Sequence, residues 1–203
     1  MTKVDTIEAL EALYGQPGAA SLRKVADHIT PEYRAWIRSS PFCALATVGP
    51  EGVDASPRGD EGEVVFELDE TTLAMPDRRG NNRMDSLRNI VRDGRVALMF
   101  LTPGSDTVTR VNGRAYVSAD PGLIERFTKE GQAPRTVIVI KIEEIYFQCA
   151  RAVMRAGLWD RDSYSMINDL PSPGQILAAQ TGGEVGGKAY DQAWPERARK
   201  SLW

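Results

Sequence analysis

The sequence predicts a mainly β fold, in which short strands form a barrel and helices flank it at both ends. Short apolar runs, separated by turns rich in glycine and proline, fill the middle of the chain. Few helices interrupt these runs, which favours an antiparallel barrel over alternating βαβ units. Apolar residues recur at helical spacing near both ends of the chain.

Residues 1–40 are predicted to form a helical arm. The segment "VDTIEALEALYG" has apolar residues at helical spacing before a glycine stop. A second helix is predicted over "ASLRKVADHI". Thr30 and Pro31 have the chemistry of an N-cap and a first helical residue, so a third helix is predicted over "PEYRAWIRSS".

Residues 41–148 are predicted to form the barrel core of a single domain. The strand candidates, in chain order, are "FCALATVG", "VDASPR", "EVVFEL", "TTLAMP", "RVALMFL", "TVTRVNGRAYVSA" and "RTVIVIKIEEIYFQ". A short helix is predicted over "PGLIERFTKE". Residues 149–203 are predicted to be a C-terminal extension of helices and loops.

The composition excludes several classes of protein. The net charge of −3 and the pI of about 5.4 argue against a general nucleic-acid binder. No apolar run approaches the roughly 18 residues that a membrane span needs. Two distant cysteines and one histidine form no metal-ligand pattern, and they suit a reduced, cytoplasmic protein.

An unusual stretch, "DRRGNNRMDSLRNIVRDG" over residues 77–94, gathers five arginines in this acidic chain. It predicts a helix with Asn81 or Asn82 as the N-cap. The predicted apolar stripe toward the core consists of Met84, Leu87, Ile90 and Val91. The predicted solvated side consists of Asp85, Arg88, Asn89 and Arg92.

Two arginines are candidate anion ligands. Arg83 lies in the predicted first turn, where free backbone N–H groups and a guanidinium favour a bound phosphate. Arg58 ends a predicted strand, and Gly59 after it permits close approach of a flat ligand. The alternatives are a solvated helix end for Arg83 and a surface position for Arg58. Arg78 and Arg79 receive no assignment.

Four segments carry a family resemblance: "PFCALATVGPEGVDASPRGD", "TLAMPDRRGNNRMDSLRNI", "GRVALMFLTPG" and "TVTRVNGRAYV", in this order. Over roughly residues 32–160 the chain resembles the pyridoxamine 5′-phosphate oxidase-like, FMN-binding split-barrel superfamily. It is most similar to a branch inferred to consist of FMN-dependent enzymes. The resemblance implies a six-stranded split β-barrel with flanking helices, of the α+β class. It also implies a homodimer with FMN at the subunit interface.

The resemblance also implies cofactor-binding residues. Arg58 matches the strand arginine that holds the FMN phosphate. The helix-start ligands of the phosphate match Asn82, Arg83 and Ser86. The segments that line the flavin ring match Ser56, Pro57, Met75, Pro76 and Asp77.

The C-terminal zone departs from the family pattern. Authentic pyridoxamine phosphate oxidases end with a segment that contains arginine and histidine and binds the substrate phosphate. The matching zone here, "FQCARAVMRAGLW", has Arg151, Arg155 and Trp159 but no histidine. Oxidation of vitamin B6 is therefore not expected. The three residues are candidates to reach a flavin or a substrate, and the alternative is a surface arginine pair with a core or interface tryptophan.

The function that the resemblance implies is that of an FMN-dependent oxidoreductase. The flavin would exchange a hydride with a small-molecule substrate or with NAD(P)H, and no side-chain general base would be required. One alternative is a flavin-binding or sensor protein without turnover. Another is a split barrel that uses a deazaflavin cofactor.

Overall fold

A computed structural model describes residues 2–202, except for the side chains of residues 163, 165, 166 and 168. Seven strands form one antiparallel sheet in the order β2-β1-β5-β6-β7-β4-β3. The strands are β1 (Phe42–Gly49), β2 (Gly52–Gly59), β3 (Phe66–Asp69), β4 (Thr72–Pro76), β5 (Arg95–Leu101), β6 (Val108–Ser118) and β7 (Val137–Gln148). The predicted class, a mainly β split barrel with flanking helices, is confirmed. The predicted number of six strands is wrong, because short β3 pairs with β4 and adds a seventh.

Helices flank the sheet at both ends and connect strands at two points. They are α1 (Ile7–Tyr14), α2 (Ala19–Arg23), α3 (Pro31–Arg38), α4 (Asp85–Arg92), α5 (Pro121–Arg126), α6 (Arg151–Ala156), α7 (Pro173–Gln180) and α8 (Gly187–Ser201), with a 3₁₀ helix over Arg161–Asp169. Thr30 caps α3 as predicted, its hydroxyl accepting from the Tyr33 N–H. Within residues 2–202, no helix has the length and apolar character to cross a membrane.

The main core lies inside the curled sheet. Side chains alternate between the two faces of a strand, so every second residue of the central strands points inward. The strands contribute Cys43, Leu45, Leu73, Met75, Val96, Leu98, Phe100, Val111, Ala115, Ile138, Ile140, Ile142 and Ile145. Helix α3 adds Tyr33 and Ile37, and α4 adds Ile90. These helices therefore pack on the barrel and contribute to its core.

A smaller apolar cluster lies on the opposite face of β4 and β7. Ala74, Val137 and Val139 point away from the main core and pack with Phe127, which follows α5. The ring of Phe127 lies 5.0 Å from that of Phe66 on β3. Strand β4 and the first four residues of β7 are therefore buried on both faces, which makes this the most deeply covered part of the sheet.

The second predicted helix is shorter than expected. Helix α2 ends at Arg23, and Ala26 instead exchanges two backbone hydrogen bonds with Ile145, at 2.8 and 3.0 Å. Strand β4 pairs only with the first half of β7, so the second half has free backbone groups on that side. Buried backbone groups require hydrogen-bond partners, and Ala26 supplies them to β7 instead of continuing the predicted helix.

Helix α3 is fastened by an ion pair. The Arg34 guanidinium donates from Nε and Nη2 to the two carboxylate oxygens of Glu67 on β3, at 2.5 and 2.7 Å. This hydrogen bonding holds the pKa of Glu67 below its ordinary value of 4.5. The pair therefore stabilises the fold above that value, and its contribution is lost as the pH falls through the lower pKa of the folded state.

We expect Glu67→Gln to lower the free energy of unfolding at pH 7, because the carboxylate of the pair is lost. The difference from wild type should stay constant at higher pH and shrink as the pH falls below 4.5. Urea unfolding at a series of pH values measures it. A difference that is equally large at pH 3 would contradict this role of the ion pair.

Gly113 is expected to tolerate no side chain. It lies at the bulge between β6 and β7, where a Cβ would stand 2.1 Å from the Lys141 carbonyl oxygen. We expect Gly113→Ala to destabilise the protein by about 1–3 kcal/mol in thermal or urea unfolding. The matched control is Gly122→Ala in α5, where the nearest atom is 3.4 Å away and stability should be unchanged or slightly raised.

Candidate functional site

A cavity of about 930 Å³ opens where the ends of β2 and β4 face the start of α4 and the segment before β7. It is lined by nine of the twelve candidate cofactor-binding residues, the nine that match the family pattern. These are Ser56, Pro57, Arg58, Met75, Pro76, Asp77, Asn82, Arg83 and Ser86. The tertiary structure thus brings together two sequence segments that lie about twenty residues apart.

Strand β2 positions Arg58 at the cavity. Arg58 lies opposite Cys43 of β1 in the antiparallel register, and only 20% of its side chain is exposed. Its Nη1 donates to Oδ1 of Asp77 at 2.9 Å. Its Nε is buried and has no hydrogen-bond partner among the described residues. A buried guanidinium N–H without a partner is rare, because desolvation without a hydrogen bond is costly.

The end of β4 forms the opposite wall. Met75 is buried, and Pro76 pairs with Val137 of β7. The next residue, Asp77, donates its backbone N–H to the Thr136 carbonyl at 2.9 Å. The Thr136 hydroxyl is the second buried polar atom of the cavity lining that lacks a partner in the described structure. Both orphaned atoms belong to residues that line this cavity.

The start of α4 differs from the prediction. The helix begins at Asp85, and its N-cap is Met84, which has a left-handed backbone with φ 60° and ψ 25°. The carbonyl oxygen of the Asn81 side chain accepts from the Arg83 N–H, so it closes a turn before the helix. Asn82 also has φ 60°. The predicted cap at Asn81 or Asn82 is therefore wrong, because the loop takes a left-handed path that local spacing does not reveal.

Two left-handed residues thus flank Arg83. Asparagine tolerates this conformation, but methionine does so only at a cost of about 1–3 kcal/mol. The strained backbone lies at the cavity and exposes the side chains of Arg83 (74%) and Met84. Strain of this kind persists where the surrounding structure enforces it, most often at a binding site.

The buried face of α4 also differs from the prediction. Met84 and Val91 were predicted to face the core, but they are 49% and 74% exposed. Ser86 and Asn89 are buried beside Ile90 instead, which corrects the predicted solvated position of Asn89. The helix starts later than predicted and rests partly on a polar surface of the β1–β2 hairpin. Leu87 and Ile90 of the predicted stripe do pack on the core, but the buried face also includes Ser86 and Asn89.

Polar contacts hold α4 on this hairpin. The Ser86 hydroxyl donates to Oδ2 of Asp54 on β2 at 2.6 Å. The Asn89 amide donates to the Thr47 hydroxyl on β1 at 3.1 Å. A Cβ on Gly49 would lie 2.2 Å from Oδ1 of Asn89, so the close approach requires glycine there. The helix start is therefore fixed relative to Arg58 on the neighbouring part of β2.

Charges of both signs line the cavity. The lining contains five arginines and four aspartates, so its net charge is +1. The arginines are Arg58, Arg78, Arg79, Arg83 and Arg135, and the aspartates are Asp54, Asp60, Asp77 and Asp85. Three arginines are paired at 2.9 Å: Arg58 with Asp77, Arg78 with Asp60, and Arg83 with Asp85.

The other two arginines stand at the exposed rim. Among the described residues, Arg135 donates only to the neutral amide oxygen of Asn82, at 3.3 Å. Arg79 has no hydrogen bond or ion pair to the rest of the described chain. The excess positive charge of the cavity is therefore available to an anion.

Arg78 has a structural role that the sequence did not indicate. Its side chain is only 16% exposed, and it donates to Asp60 and to the carbonyl of Phe127. Lys129 lies 3.6 Å from the same carboxylate. These contacts tie the loop after β4 to the segment after α5, and they leave Arg78 occupied. No feature of the local sequence separates Arg78 from Arg79.

Thiol and metal chemistry receive no support at this cavity. Burial raises the pKa of the Cys43 thiol to about 12, and the nearby Arg58 charge opposes this only in part. Cys43 therefore stays neutral in the core. The part of the chain that the structure describes contains no cluster of three metal-ligating side chains. His28 contacts Asp27 at the surface.

A family model described as pyridoxamine 5'-phosphate oxidase matches residues 29–149, which is more than half of the chain. The chain belongs to this family. The match contains the whole sheet together with α3, α4 and α5, and thus every cavity residue named above. No curated protein matches the chain.

Solved structures of similar proteins include HupZ of Group A Streptococcus, with 20% identity, 59% of this chain and 93% of that chain covered, and a TM-score of 0.48. General Stress Protein 26 of Bacillus anthracis has 17% identity, coverage of 56% and 88%, and a TM-score of 0.42. An FMN-binding protein of Syntrophomonas wolfei has 16% identity, coverage of 70% and 97%, and a TM-score of 0.43.

Three predicted site residues of this pyridoxamine 5'-phosphate oxidase family member lie outside the cavity and beyond the matched range. Arg151 and Arg155 are exposed on α6, where Nε of Arg155 donates to the Arg151 carbonyl at 3.3 Å. Trp159 is half-buried, and its indole N–H donates to the Ser105 carbonyl at 2.7 Å. Within one chain they do not join the other nine, and their role as cofactor ligands stays a prediction.

The polar anchoring of α4 is directly testable. We expect Ser86→Ala to destabilise the protein by about 1–3 kcal/mol, because Asp54 loses its donor in a half-buried site. Chemical denaturation measures this change. Val91→Ala, on the exposed side of the same helix, should stay within about 0.5 kcal/mol of wild type. Equal effects of the two substitutions would contradict the assignment.

Proposed function

We propose that this chain is an FMN-dependent oxidoreductase that works as a homodimer and exchanges a hydride with a small-molecule substrate or with NAD(P)H. The observation that carries the proposal is the cavity of about 930 Å³ whose lining includes two buried polar groups without partners, on Arg58 and Thr136. Family membership supports the same conclusion, because the matching model is that of an oxidase.

The donor set suits the phosphate end of FMN. Arg58 is held in place by Asp77 and retains an unused Nε–H, and Arg83 projects from the left-handed loop before α4. Guanidinium groups form strong charge-assisted hydrogen bonds with phosphate. Asn82, beside Arg83, adds a neutral amide. The Ser86 hydroxyl already donates to Asp54, so we assign Ser86 to holding the start of α4 in position.

The remaining lining suits a flat ring. Pro57 and Pro76 offer rigid apolar surfaces from the two facing strands, and Met75 lies buried behind them. Neither proline has a backbone N–H, so the strand ends present apolar area at these positions. Asp77 and Ser56 supply polar groups at the edges. Binding pockets for cofactors commonly combine apolar walls with a few placed polar groups.

When bound, FMN supplies the redox chemistry, and the chain contributes position and electrostatics. The described lining of the cavity contains no histidine and no thiol with a lowered pKa. Asp60 forms an ion pair with Arg78, and Asp77 forms one with Arg58. The residues of the cavity thus bind and orient, and no side chain is arranged as a general base. This arrangement agrees with the proposed hydride exchange by FMN, which requires no side-chain general base.

Features of the exposed surface support the homodimer. Tyr116 and Phe147 are about half exposed on the outer face of the sheet, and Val53 is 85% exposed on edge strand β2. These groups lie at separate points of the sheet, and the proposed subunit interface would cover some of this exposed apolar area. In the proposed dimer, Arg151 and Arg155 on α6 of one chain complete the cavity of the other. This arrangement gives the two arginines the ligand that they lack within a single chain.

We expect Arg58→Ala to weaken FMN binding about a hundredfold, because a largely buried, charge-assisted donor is removed. Arg83→Ala should weaken it about tenfold, since Arg83 is exposed and shares its charge with Asp85. Titration of the apoprotein with FMN, followed by flavin fluorescence, measures both. Arg88→Ala, on α4 outside the cavity, is the control and should bind like wild type.

The identity of the cofactor is tested by releasing it with acid and measuring its mass. FMN supports the proposal, and a deazaflavin would replace it. A colourless protein that takes up no added FMN would contradict the flavin hypothesis. Bound FMN without any NAD(P)H oxidation, across a broad panel of acceptors, would identify a flavin-binding or sensor protein instead of an enzyme.

A further inference from the structure

Thr136 has a buried hydroxyl that the fold does not use. The oxygen is shielded from solvent, and it has no hydrogen-bond partner in the part of the chain that the structure describes. Desolvation of a hydroxyl without a compensating hydrogen bond is unfavourable, so such groups are rare in folded proteins and often mark functional positions. Since Thr136 lines the cavity, a bound ligand is in a position to supply the partner.

The other buried threonines show that this fold ordinarily satisfies such groups. The Thr47 hydroxyl, in a residue 4% exposed, accepts from the Asn89 amide at 3.1 Å. The Thr72 hydroxyl accepts from the Lys141 ammonium group. Thr109 is the one other described residue with a buried hydroxyl that lacks a partner, and it lies on β6 outside the lining of the cavity. Thr109 and Thr136 thus have the same unsatisfied group, but only Thr136 has a cavity beside it.

Backbone contacts hold Thr136 in place at the cavity wall. Its carbonyl accepts from the Asp77 N–H at 2.9 Å. The next residue, Val137, is fully buried and pairs with Pro76 of β4. Thr136 is therefore fixed beside Pro76 and Asp77, on the wall that the proposed function assigns to the flavin ring.

The distribution of charge favours an uncharged partner for this hydroxyl. Arg83 and Arg135 are exposed at the rim, where a phosphate gains charge-assisted hydrogen bonds and stays in contact with water. The Thr136 hydroxyl is neutral and buried, and an anion placed against it would be desolvated without a matching charge. A hydroxyl can both donate and accept, so it can pair with a carbonyl or with a ring N–H.

We propose that the Thr136 hydroxyl binds the cofactor through a hydrogen bond to an uncharged polar group at the edge of the flavin ring. Neither the local sequence nor the family resemblance indicated this residue. The inference rests on the FMN binding of the proposed function, and it adds a residue that orients the ring to the arginines that bind the phosphate. In the apoprotein the unsatisfied hydroxyl is destabilising, and the bound ring satisfies it.

Thr136→Val tests the assignment, because it replaces the hydroxyl with a methyl group of similar size. We expect two effects of opposite sign. The apoprotein should melt about 2–4 °C higher, since an unsatisfied buried group is removed. FMN should bind about tenfold more weakly, since the ring loses a hydrogen bond. Calorimetry of the apoprotein and titration with FMN measure the two changes. Thr136→Ser retains the hydroxyl and should bind FMN within about threefold of wild type.

Thr109→Val is the matched control. It should raise the melting temperature by a similar amount and leave the affinity for FMN unchanged, because Thr109 lies outside the cavity. The visible absorption spectrum at saturating FMN gives a second measurement, because hydrogen bonds to the ring tune its electronic structure. Thr136→Val should shift this spectrum, whereas Thr136→Ser and Arg83→Ala should not.

Three results would overturn the assignment of Thr136. Unchanged affinity of Thr136→Val for FMN would leave the hydroxyl to water or to a second chain. A lower melting temperature of its apoprotein would reveal a partner within the fold. Weaker binding with an unshifted spectrum would exclude a contact with the ring. In each case the wild-type protein still binds FMN, whereas failure of the wild type to bind it would overturn the proposed function itself.

Discussion

Strand β7 is the element on which the rest of the structure depends. Its twelve residues pair with β6 along their whole length on one side, and with β4 and then Ala26 on the other. Ile138, Ile140 and Ile145 of this strand lie in the main core without exposure. The first half of β7 is paired on both edges and buried on both faces, which leaves almost no freedom of register, because a one-residue slip would exchange the two faces.

The cavity follows from this register. Pairing of Pro76 with Val137 places Asp77 against Thr136, and Asp77 in turn orients the guanidinium of Arg58 from β2. Strands β2 and β4 are separated by four other strands in the sheet order, and only the curl of the sheet brings their ends to one cavity. The site is thus a consequence of how the barrel closes, while the loop before α4 completes it.

The electrostatic arrangement explains how an acidic chain can contain a local arginine cluster. Three cavity arginines pair with aspartates, so neither of the two that are largely buried, Arg58 and Arg78, leaves an unpaired charge in the protein interior. What remains is a modest positive excess together with a prepositioned Arg58. In the proposed function this site binds the FMN phosphate, and the ion pairs balance the charges of the buried arginines in the apoprotein.

The sequence predicted correctly the elements whose signals lie within a few neighbouring residues. The strands β1, β2 and β5 to β7, the Thr30 cap and the glycine stop after α1 were all predicted, because alternation, capping and turn residues act over a few positions. The family resemblance likewise identified nine residues that the structure gathers in one cavity. At α4, apolar spacing predicted the core positions of Leu87 and Ile90 but missed Ser86 and Asn89, which are buried with hydrogen bonds to Asp54 and Thr47.

Tertiary structure decided everything that depends on a distant partner. Whether Arg58, Arg78 or Arg79 is paired, which face of α4 is buried, and how far α2 extends are set by residues 18 to more than 100 positions away. A hydrogen bond or a buried backbone group is satisfied by whatever the fold places beside it, and sequence spacing does not contain that information. By itself the sequence determined a mainly β chain with candidate anion ligands. The closure of the barrel decided which of them meet.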